Sequence, residues 1–366
     1  MSEKAPVKRS CRPWSLAVLI LMTCLFWVGA ASAEQSWDEI VREARGQTVD
    51  WYMWGGFPST NAYVNGYAAE RVEALYGVTV RQVPVKDIAE VVGKLLVEKE
   101  AGKVQGGSVD LMWINGENFR TCKANDLLYG PFADRLPNQR LVDWSKASVR
   151  NDFGEPVEGL ESPWGSAQVV MIYDSQRIVE PPESVAALLA WIKAHPGRFT
   201  YPAPPEFTGT VFVRHIFYHH SEDPVIWQGA YDADQFTRAA RATYDTLKGL
   251  APFLWQQGQT YPENPIRLAQ LLADGDIDFA ISYHPAEASK MIRDGLYPDT
   301  VRTFVFDEGT IANTHFVAIP FNATDKAGAM VLANFLLSAE AQLKKADPAV
   351  WGDFPVIDIG RLDAEW

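Results

Sequence analysis

The chain has 366 residues, of which 47% are hydrophobic and 22% charged, and its 46 acidic against 33 basic residues give a formal net charge of −13. That length exceeds what one ordinary core supports, so we expect two domains. The acidic balance argues against nucleic acid or an anionic membrane as the partner, because both repel negative charge.

The first 33 residues have the pattern of a secretory signal peptide. Basic residues from Lys4 to Arg12 come first, an almost uninterrupted apolar run covers residues 16–30, and Ala31-Ser32-Ala33 supplies the small residues that a signal peptidase needs. The apolar run is shorter than the about 20 residues of a membrane span. We therefore expect cleavage after Ala33 and a periplasmic mature protein. Lipoprotein processing at Cys24 and an uncleaved anchor are the alternatives.

Cysteine usage predicts a fold without disulfides. Cys11 and Cys24 fall in the expected signal peptide, and Cys122 is the third and last cysteine of the chain. A single remaining thiol forms no intramolecular bridge, so the mature fold must be held by its hydrophobic core.

Strand and helix patterns alternate through the first half of the mature chain. Strands are expected at 48–54, 78–85 and 109–114, and a helix at 59–76. Asp87 and Glu90 form a plausible cap for a further helix. This alternation predicts a parallel sheet covered by helices on both faces.

A second α/β set follows, bounded by proline-rich stretches at 181–182 and 202–205. Strands are expected at 169–173, 198–201, 277–282, 301–306 and 315–319. Helices are expected at 184–194, 208–220, 265–273, 286–293 and 326–337. We expect the last of these helices to pack across the two halves.

Aromatic and small polar residues follow several of the expected strands. In open α/β sheets, ligands bind beyond the carboxyl ends of the strands, where free helix N–H groups and glycines let them approach the backbone. The segments in these places are 54–56, 113–118, 206–209 and 283–285. Trp54 and Trp113 are equally compatible with core packing, Glu117 with a helix-dipole position and Asn115 with a helix cap.

Several fragments in collinear order resemble one known family. They are the strand 48–54, the segment Asp110-Leu111-Met112-Trp113, the stretches 125–128 and 136–138, Ser162-Pro163-Trp164-Gly165 leading to 172–174, Pro181-Pro182-Glu183-Ser184 with Trp191, and 270–275. Together they resemble the type II periplasmic substrate-binding proteins of ABC transporters, in the group that includes polyamine, thiamine and ferric-iron binders. Residues 113–119 are most similar to an uncharacterised binding component of a three-part bacterial ABC transporter.

This resemblance implies an α/β fold of two Rossmann-like lobes joined by a hinge, with the ligand cleft between them. The implied organisation is a signal peptide over 1–33, a first lobe over 34–165, a second lobe over 166–309, and a return crossing with C-terminal helices over 310–366. The chain would cross between the lobes near 164–169 and 310–315. A bound ligand would stabilise the closed form, because both lobes then contact it.

The resemblance also implies a ligand site shared by both lobes, with no catalytic residues, no metal and no cofactor. The residues expected to bind the ligand are Trp54, Gly55, Trp113, Asn115, Glu117, Asn118, Trp164, Ser166, Phe207, Thr208, Tyr283, His284 and Asn313. Aromatic rings with a carboxylate suit an organic cation such as thiamine or a polyamine. Glu206 is a candidate second carboxylate. The expected partners are a permease and an ATPase, and the protein is expected to be a monomer.

Two rival functions stay open at this point. His215, His219 and His220, with Asp223 nearby, have a spacing compatible with zinc or iron, although histidines near a helix end are equally expected. A secreted hydrolase is the other rival, but the sequence contains neither a Gly-x-Ser-x-Gly elbow nor a Walker-type phosphate loop. Cys122 lies between basic residues that would lower its pKa, yet its helical pattern indicates a structural role.

Overall fold

The computed structural model describes residues 35–221, Trp227 and residues 231–362. The expected signal peptide and Asp223 lie outside these residues. The described strands are β1 (Thr48–Trp54), β2 (Thr79–Val85), β3 (Leu111–Ile114), β4 (Asn151–Asp152), β5 (Glu155–Pro156), β6 (Glu161–Gln168), β7 (Val170–Asp174), β8 (Phe279–Ser282), β9 (Val301–Phe304) and β10 (Ala312–Ala318).

The α-helices lie between and after these strands. In chain order they are α1 (Trp37–Ala44), α2 (Pro58–Ala62), α3 (Ala69–Tyr76), α4 (Ala89–Glu100), α5 (Glu117–Ala124), α6 (Ala147–Arg150), α7 (Val185–Ala194), α8 (Phe207–His219), α9 (Ala233–Leu250), α10 (Pro265–Ala273), α11 (Glu287–Arg293), α12 (Lys326–Leu336) and α13 (Ala339–Ala346). The expected helix over 59–76 is continuous, but a π-helical turn, Tyr63–Ala68, joins α2 to α3.

A five-stranded sheet, here the large sheet, organises the first lobe in the order β2-β1-β3-β10-β6. Strand β1 is parallel to β2 and β3, as the alternating pattern predicts, whereas β10 is antiparallel to β3 and β6. Along β1, Val49, Trp51 and Met53 are fully buried in one core, while Tyr52 packs against a second core on the opposite face. Alternate side chains of β1 therefore pack against cores on both faces of the sheet, and neither face is left to solvent.

A three-stranded sheet, here the small sheet, organises the second lobe in the order β8-β7-β9. Both pairings are antiparallel, unlike the pairings of β1 with β2 and β3 in the first lobe. The strand expected at 198–201 is wrong, since Phe199 makes only an isolated parallel bridge to Phe279. Pro202 follows closely, and a proline has no N–H with which to extend the ladder.

Helix boundaries in this half follow their local signals. Helix α10 spans the predicted residues, with Pro265 in its first turn and the side chain of Asn264 accepting from Arg267 N at 3.0 Å. Helix α7 is capped by Ser184, whose hydroxyl accepts from Ala187 N at 3.1 Å. These caps satisfy N–H groups that the helices leave free.

The chain passes from the large to the small sheet between β6 and β7 and returns between β9 and β10. The lobe limits given above stay predictions. Helix α12 packs against α1, α3 and strands of the large sheet, and its buried residues belong to the core of that sheet. The segment after α13 reaches the second lobe instead, where Arg293 Nη2 donates to Pro348 O at 2.7 Å. In the described part of the chain, no helix combines the length and apolarity of a membrane span.

Candidate functional site

Side chains touch across the two lobes in the pairs Phe57 and His284, Asn313 and Tyr283, and Phe153 and Arg214. Together with their neighbours Trp54, Asp152 and Phe207, these residues are here called the interlobe site. The Tyr283 hydroxyl, from the β8–α11 connection, donates to Asn313 Oδ1 of β10 at 2.5 Å. The rings of Phe57 and His284 meet edge to face with centroids 5.9 Å apart. Each contact joins a residue in or just after the large sheet to a residue that follows β8 of the small sheet.

Trp54 ends β1 with 39% of its surface exposed, so its indole face is available to a ligand. The ring lies over Gly56, where a Cβ would come within 2.0 Å of Trp54 Cζ2, so only glycine permits this orientation. Trp54 also packs edge to face on Phe57, with centroids 4.8 Å apart. Gly55 contributes its carbonyl, which accepts from Asn61 Nδ2 at 2.9 Å and is therefore already engaged.

Trp113 and Trp164 differ in burial although both were expected to bind the ligand. Trp164 is completely buried in the core of the large sheet, where it packs against Trp51 at 5.1 Å between centroids. The structure gives it a packing position rather than a place at the surface. Trp113 is half-buried, lies 5.0 Å from Trp164, and donates from Nε1 to Asn115 Oδ1 at 3.0 Å. Trp113 thus connects the core to the start of α5.

The turn from β3 into α5 is held by several hydrogen bonds. Asn115 Nδ2 donates to Thr314 O at 2.7 Å. Gly116 has a φ of 58°, which favours glycine, and its N–H donates to Asp152 Oδ2 at 2.5 Å. Glu117 is exposed at the first position of α5, and Asn118 is half-buried beside it. The predicted residues of this turn are therefore close together, and the carboxylate nearest its backbone is Asp152.

Asp152 is a site residue that the sequence patterns did not reveal. It is 1% exposed, and its Oδ1 has no hydrogen-bond partner within the described residues. Burial raises the pKa of Asp152 to about 7, against the opposing effects of the Gly116 N–H and the Asn115 amide. Glu161 lies nearby and is also completely buried, with burial raising its pKa well above the ordinary range. Burying a charged carboxylate is energetically unfavourable unless a hydrogen-bond donor or an opposite charge lies against it.

Helix α8 of the second lobe begins with Phe207 and Thr208. Phe207 is 47% exposed and packs edge to face on Tyr283 at 5.0 Å, whereas Thr208 is buried. The carboxylate of Glu206 accepts from Gly209 N at 2.8 Å and so caps the helix. Glu206, the candidate second carboxylate, is thus occupied by its own helix.

His284 and Tyr283 follow β8. The main-chain N–H of His284 donates to Ser282 Oγ at 2.9 Å, and its ring Nδ1 accepts from Ala286 N at 3.3 Å. This arrangement leaves the proton of a neutral ring on Nε2, which is buried and has no partner among the described atoms. Burial lowers the pKa of His284 and favours the neutral form. Burial raises the pKa of the Tyr283 phenol, which keeps it protonated as a donor.

Arg214 is the second site residue that the sequence patterns did not reveal. It lies within α8, is half-buried, and places its guanidinium carbon 5.9 Å from the centroid of the Phe153 ring in the first lobe. An arginine inside a helix carries no local signal of a ligand role, because its significance depends on which residues the opposite lobe brings to it.

Ser166 lies where β6 leaves the large sheet, and its main chain pairs with Phe354, with Ser166 N donating to Phe354 O at 3.0 Å. Beside this pair is a buried charge cluster. Lys345 Nζ donates to Asp353 Oδ2 at 2.5 Å, and His315 Nε2 lies 3.1 Å from Asp353 Oδ1. Burial opposes the charge of Asp353, but Lys345 and His315 lower its pKa below the ordinary range. The cluster fixes the C-terminal segment against the crossing.

Two of the three histidines considered as metal ligands, His215 and His220, are engaged in structural contacts, whereas His219 is exposed. His215 Nδ1 lies 2.9 Å from Val211 O, while its Nε2 accepts from Ile311 N at 3.0 Å, so both ring nitrogens are used. His220 Nε2 contacts Thr246 Oγ1 at 2.7 Å. Across residues 35–221, 227 and 231–362, no group of His, Cys, Asp and Glu is arranged to hold a metal. Cys122 is buried, and burial raises its pKa to about 12.

Comparison with known proteins gives this geometry a family context. A family model described as bacterial extracellular solute-binding protein matches residues 67–366. Escherichia coli K12 protein YnjB is 42% identical over 349 residues, covering 95% of this chain and 88% of YnjB.

Two solved structures share the fold at low sequence identity. The spermidine/putrescine ABC transporter substrate-binding protein of Streptococcus pneumoniae has a TM-score of 0.60 at 15% identity, covering 82% of this chain and 81% of its own. The apo ferric ion-binding protein A of Pasteurella haemolytica has a TM-score of 0.64 at 15% identity, covering 87% of each chain. The predicted mixed α/β fold of type II periplasmic binding proteins is confirmed, and the differing ligands in these names show that the fold alone does not select one.

Proposed function

Because the chain belongs to the bacterial extracellular solute-binding protein family, a non-enzymatic family, we propose that its interlobe site captures a small organic cation. The coarser function follows from membership: the protein is the solute-binding component of an ABC transporter. The finer proposal concerns the class of solute and the residues that hold it.

The unpartnered Oδ1 of Asp152 is the observation that carries this proposal. A buried carboxylate without a partner is unfavourable, and a cationic nitrogen placed against it would relieve that cost through a charge-assisted hydrogen bond. The carboxylate lies beside the N-terminal turn of α5, and β4 packs beside β10, which carries Asn313. The cation would therefore reach Asp152 from the place where the lobes meet.

Aromatic side chains around the site support the same class of ligand. Trp54 and Phe207 are exposed on opposite lobes, and each packs on a partly buried aromatic neighbour that holds its orientation. Aromatic faces attract cations through their quadrupoles, with about 0.5–2 kcal/mol for each well-placed contact. Spermidine and putrescine, named for the similar structure from Streptococcus pneumoniae, are organic cations of this kind.

Closure of the lobes would couple binding to delivery. The Tyr283–Asn313 hydrogen bond and the Phe57–His284 ring contact form only when the lobes meet, so a solute bridging them favours the closed form. We propose that the closed protein, exported through the N-terminal signal peptide to the periplasm, presents its solute as a monomer to a permease with an ATPase.

A thermal-shift screen tests the class of solute. The chain from residue 34 onward would be unfolded, dialysed and refolded to remove any co-purified ligand, then mixed with spermidine, putrescine, thiamine, choline, ferric iron, neutral sugars and acidic amino acids. We expect a saturable rise in melting temperature with at least one organic cation, since a ligand at about 100 times its Kd adds about 2.7 kcal/mol. A rise with only sugars or ferric iron would contradict the proposal.

A further inference from the structure

Arg214 extends from the second lobe toward the first. It belongs to α8, two helical turns after Phe207, and its guanidinium lies over the ring of Phe153. Phe153 directly follows Asp152, so the guanidinium and the unpartnered carboxylate approach the interlobe site from opposite lobes. No ion pair between them occurs in the structure, within the residues that it describes.

The guanidinium of Arg214 has no polar partner within the described parts of the chain. Other arginines of the second lobe behave differently: Arg177 and Arg198 each approach Asp278 Oδ1 at 2.6 Å. A half-buried guanidinium has five N–H donors and loses water when covered, so leaving it without an acceptor is unfavourable. The Phe153 ring attracts the positive charge of the guanidinium, but it accepts no hydrogen bond from the N–H groups in the guanidinium plane.

Tyr283 is close to both of these opposite charges. Burial raises its pKa, and of the nearby charges Arg214 lowers that pKa whereas Asp152 raises it, so both act on the same hydroxyl. The hydroxyl itself donates to Asn313 and is unavailable as a donor to a second group. The carboxylate of Asp152 and the guanidinium of Arg214 therefore both lie within electrostatic reach of the same side chain.

We infer that the solute is a zwitterion, with a cationic nitrogen at Asp152 and an oxyanion group, carboxylate or phosphate, held by Arg214. The inference rests on the proposed function and narrows its ligand class. A guanidinium offers paired donors that match the oxygens of a carboxylate or phosphate, which a lysine ammonium does not. Arg214 is therefore a specificity-determining residue: a plain polyamine would leave it unpaired, and the zwitterion would satisfy both charges.

Matched pairs of small molecules test this inference. Calorimetric titration would compare lysine with cadaverine and glycine betaine with choline, pairs that differ in a carboxylate, and phosphocholine with choline, a pair that differs in a phosphate. We expect the anion-bearing member of at least one pair to bind about ten- to a hundredfold more tightly, the range expected for a charge-assisted hydrogen-bond pair. The carboxylate and phosphate arms identify which oxyanion is used.

The variants R214M and R214K test whether Arg214 binds the oxyanion group of the solute. R214M should abolish the preference within the pair while leaving the affinity for the cationic member within a fewfold, and R214K should restore only part of it. D152N should weaken both members of the pair. Melting curves of the unliganded variants check that each one folds.

Two results would overturn the inference while leaving the proposed function intact. In the first, the cationic member of every pair that binds does so as tightly as its anion-bearing partner; in the second, R214M weakens both members of the preferred pair equally. In the second case Arg214 would act only as a contact between the lobes. If no member of any pair binds but spermidine or putrescine raises the melting temperature, the inference fails and the proposed function stands. If no organic cation of the screen raises it either, both fail.

Discussion

Tyr283 and Asn313 join the two lobes through one hydrogen bond, in which the phenol donates to the amide oxygen at 2.5 Å. Asn313 Nδ2 in turn donates to Thr314 O at 2.9 Å, which fixes the amide oxygen toward Tyr283. Because Asn313 is buried and Tyr283 half-buried, water competes little for this bond. The pair is therefore suited to report on closure of the lobes.

Replacing Tyr283 with phenylalanine removes the donor and keeps the ring that packs on Phe207. We expect Tyr283→Phe to favour the open form and to weaken solute binding by about fivefold to tenfold, since a buried hydrogen bond contributes about 1 kcal/mol. Calorimetry gives the affinity, and small-angle scattering gives the radius of the unliganded protein. Tyr244→Phe, an exposed tyrosine on α9, serves as the matched control. Equal affinities for the two variants would show that the hydrogen bond does not bias closure.

Because of Asp152, we expect the free energy of unfolding to fall as pH rises from about 4 to about 7. Its folded-state pKa, about 7, lies above the ordinary value of 3.8, so the folded protein retains a proton that the unfolded chain has lost between these pH values. The stabilisation by this proton is complete below about pH 4 and is lost as pH rises through about 7. Glu287, whose pKa burial also raises to about 7, acts in the same direction.

The Asp152→Asn variant tests this account. It removes one buried ionisable group, so we expect its free energy of unfolding to exceed that of the unmodified protein at pH 8 and to fall less steeply between pH 4 and pH 7. Urea unfolding at several pH values measures both effects. The exposed Asp245→Asn serves as the control and should change neither. A variant that is destabilised at pH 8 would mean that the carboxylate is compensated in the folded protein and is not free for a ligand.

We expect Trp164 to contribute mainly to stability and Trp54 mainly to solute binding, although both were predicted to bind the ligand. Trp164 is fully buried, so Trp164→Ala should reduce the free energy of unfolding by about 3–5 kcal/mol. Trp54 is partly exposed, so Trp54→Ala should change stability far less and should weaken solute binding. Denaturant unfolding and calorimetry on both variants separate the two roles. Full binding by Trp54→Ala would remove Trp54 from the site.

The buried cluster of Lys345, Asp353 and His315 should be essential for folding. Removing one partner of a buried ion pair leaves an uncompensated charge and costs about 3–5 kcal/mol, so we expect that loss for Lys345→Met. The neighbouring exposed Lys344→Met should cost about 0.5 kcal/mol or less. Urea unfolding at pH 7 measures both. Equal stability of the two variants would show that Asp353 is satisfied without Lys345.

Local signals were sufficient for most of the helices and for the parallel part of the large sheet. Pro265 and the cap at Asn264 define α10, and the alternation in β1 defines its two buried faces. The antiparallel pairing of the small sheet was not predictable in this way, because strand direction depends on how the chain returns between the lobes. The strand pattern around Trp164 also gives no sign of its complete burial.

The missing members of the candidate site share one property: their roles depend on contacts across the lobes or between distant segments. Asp152 lies in a two-residue strand with no periodicity, and its only hint was an acidic residue near a turn. Arg214 lies inside a helix and becomes notable only when Phe153 faces it. Phe57 has no local signal either, because its partner, His284, is distant in sequence. Such juxtapositions are properties of the tertiary fold rather than of any local pattern.

Calorimetric titration of the strongest organic cation or zwitterion from the screen, against the unmodified protein, Asp152→Asn, Trp54→Ala and Asp245→Asn, tests the central claim most directly. We expect one solute per protein, a loss of affinity of about tenfold or more in Asp152→Asn and Trp54→Ala, and no change in Asp245→Asn. Unchanged affinity in both Asp152→Asn and Trp54→Ala would contradict the claim that the solute is held at the interlobe site.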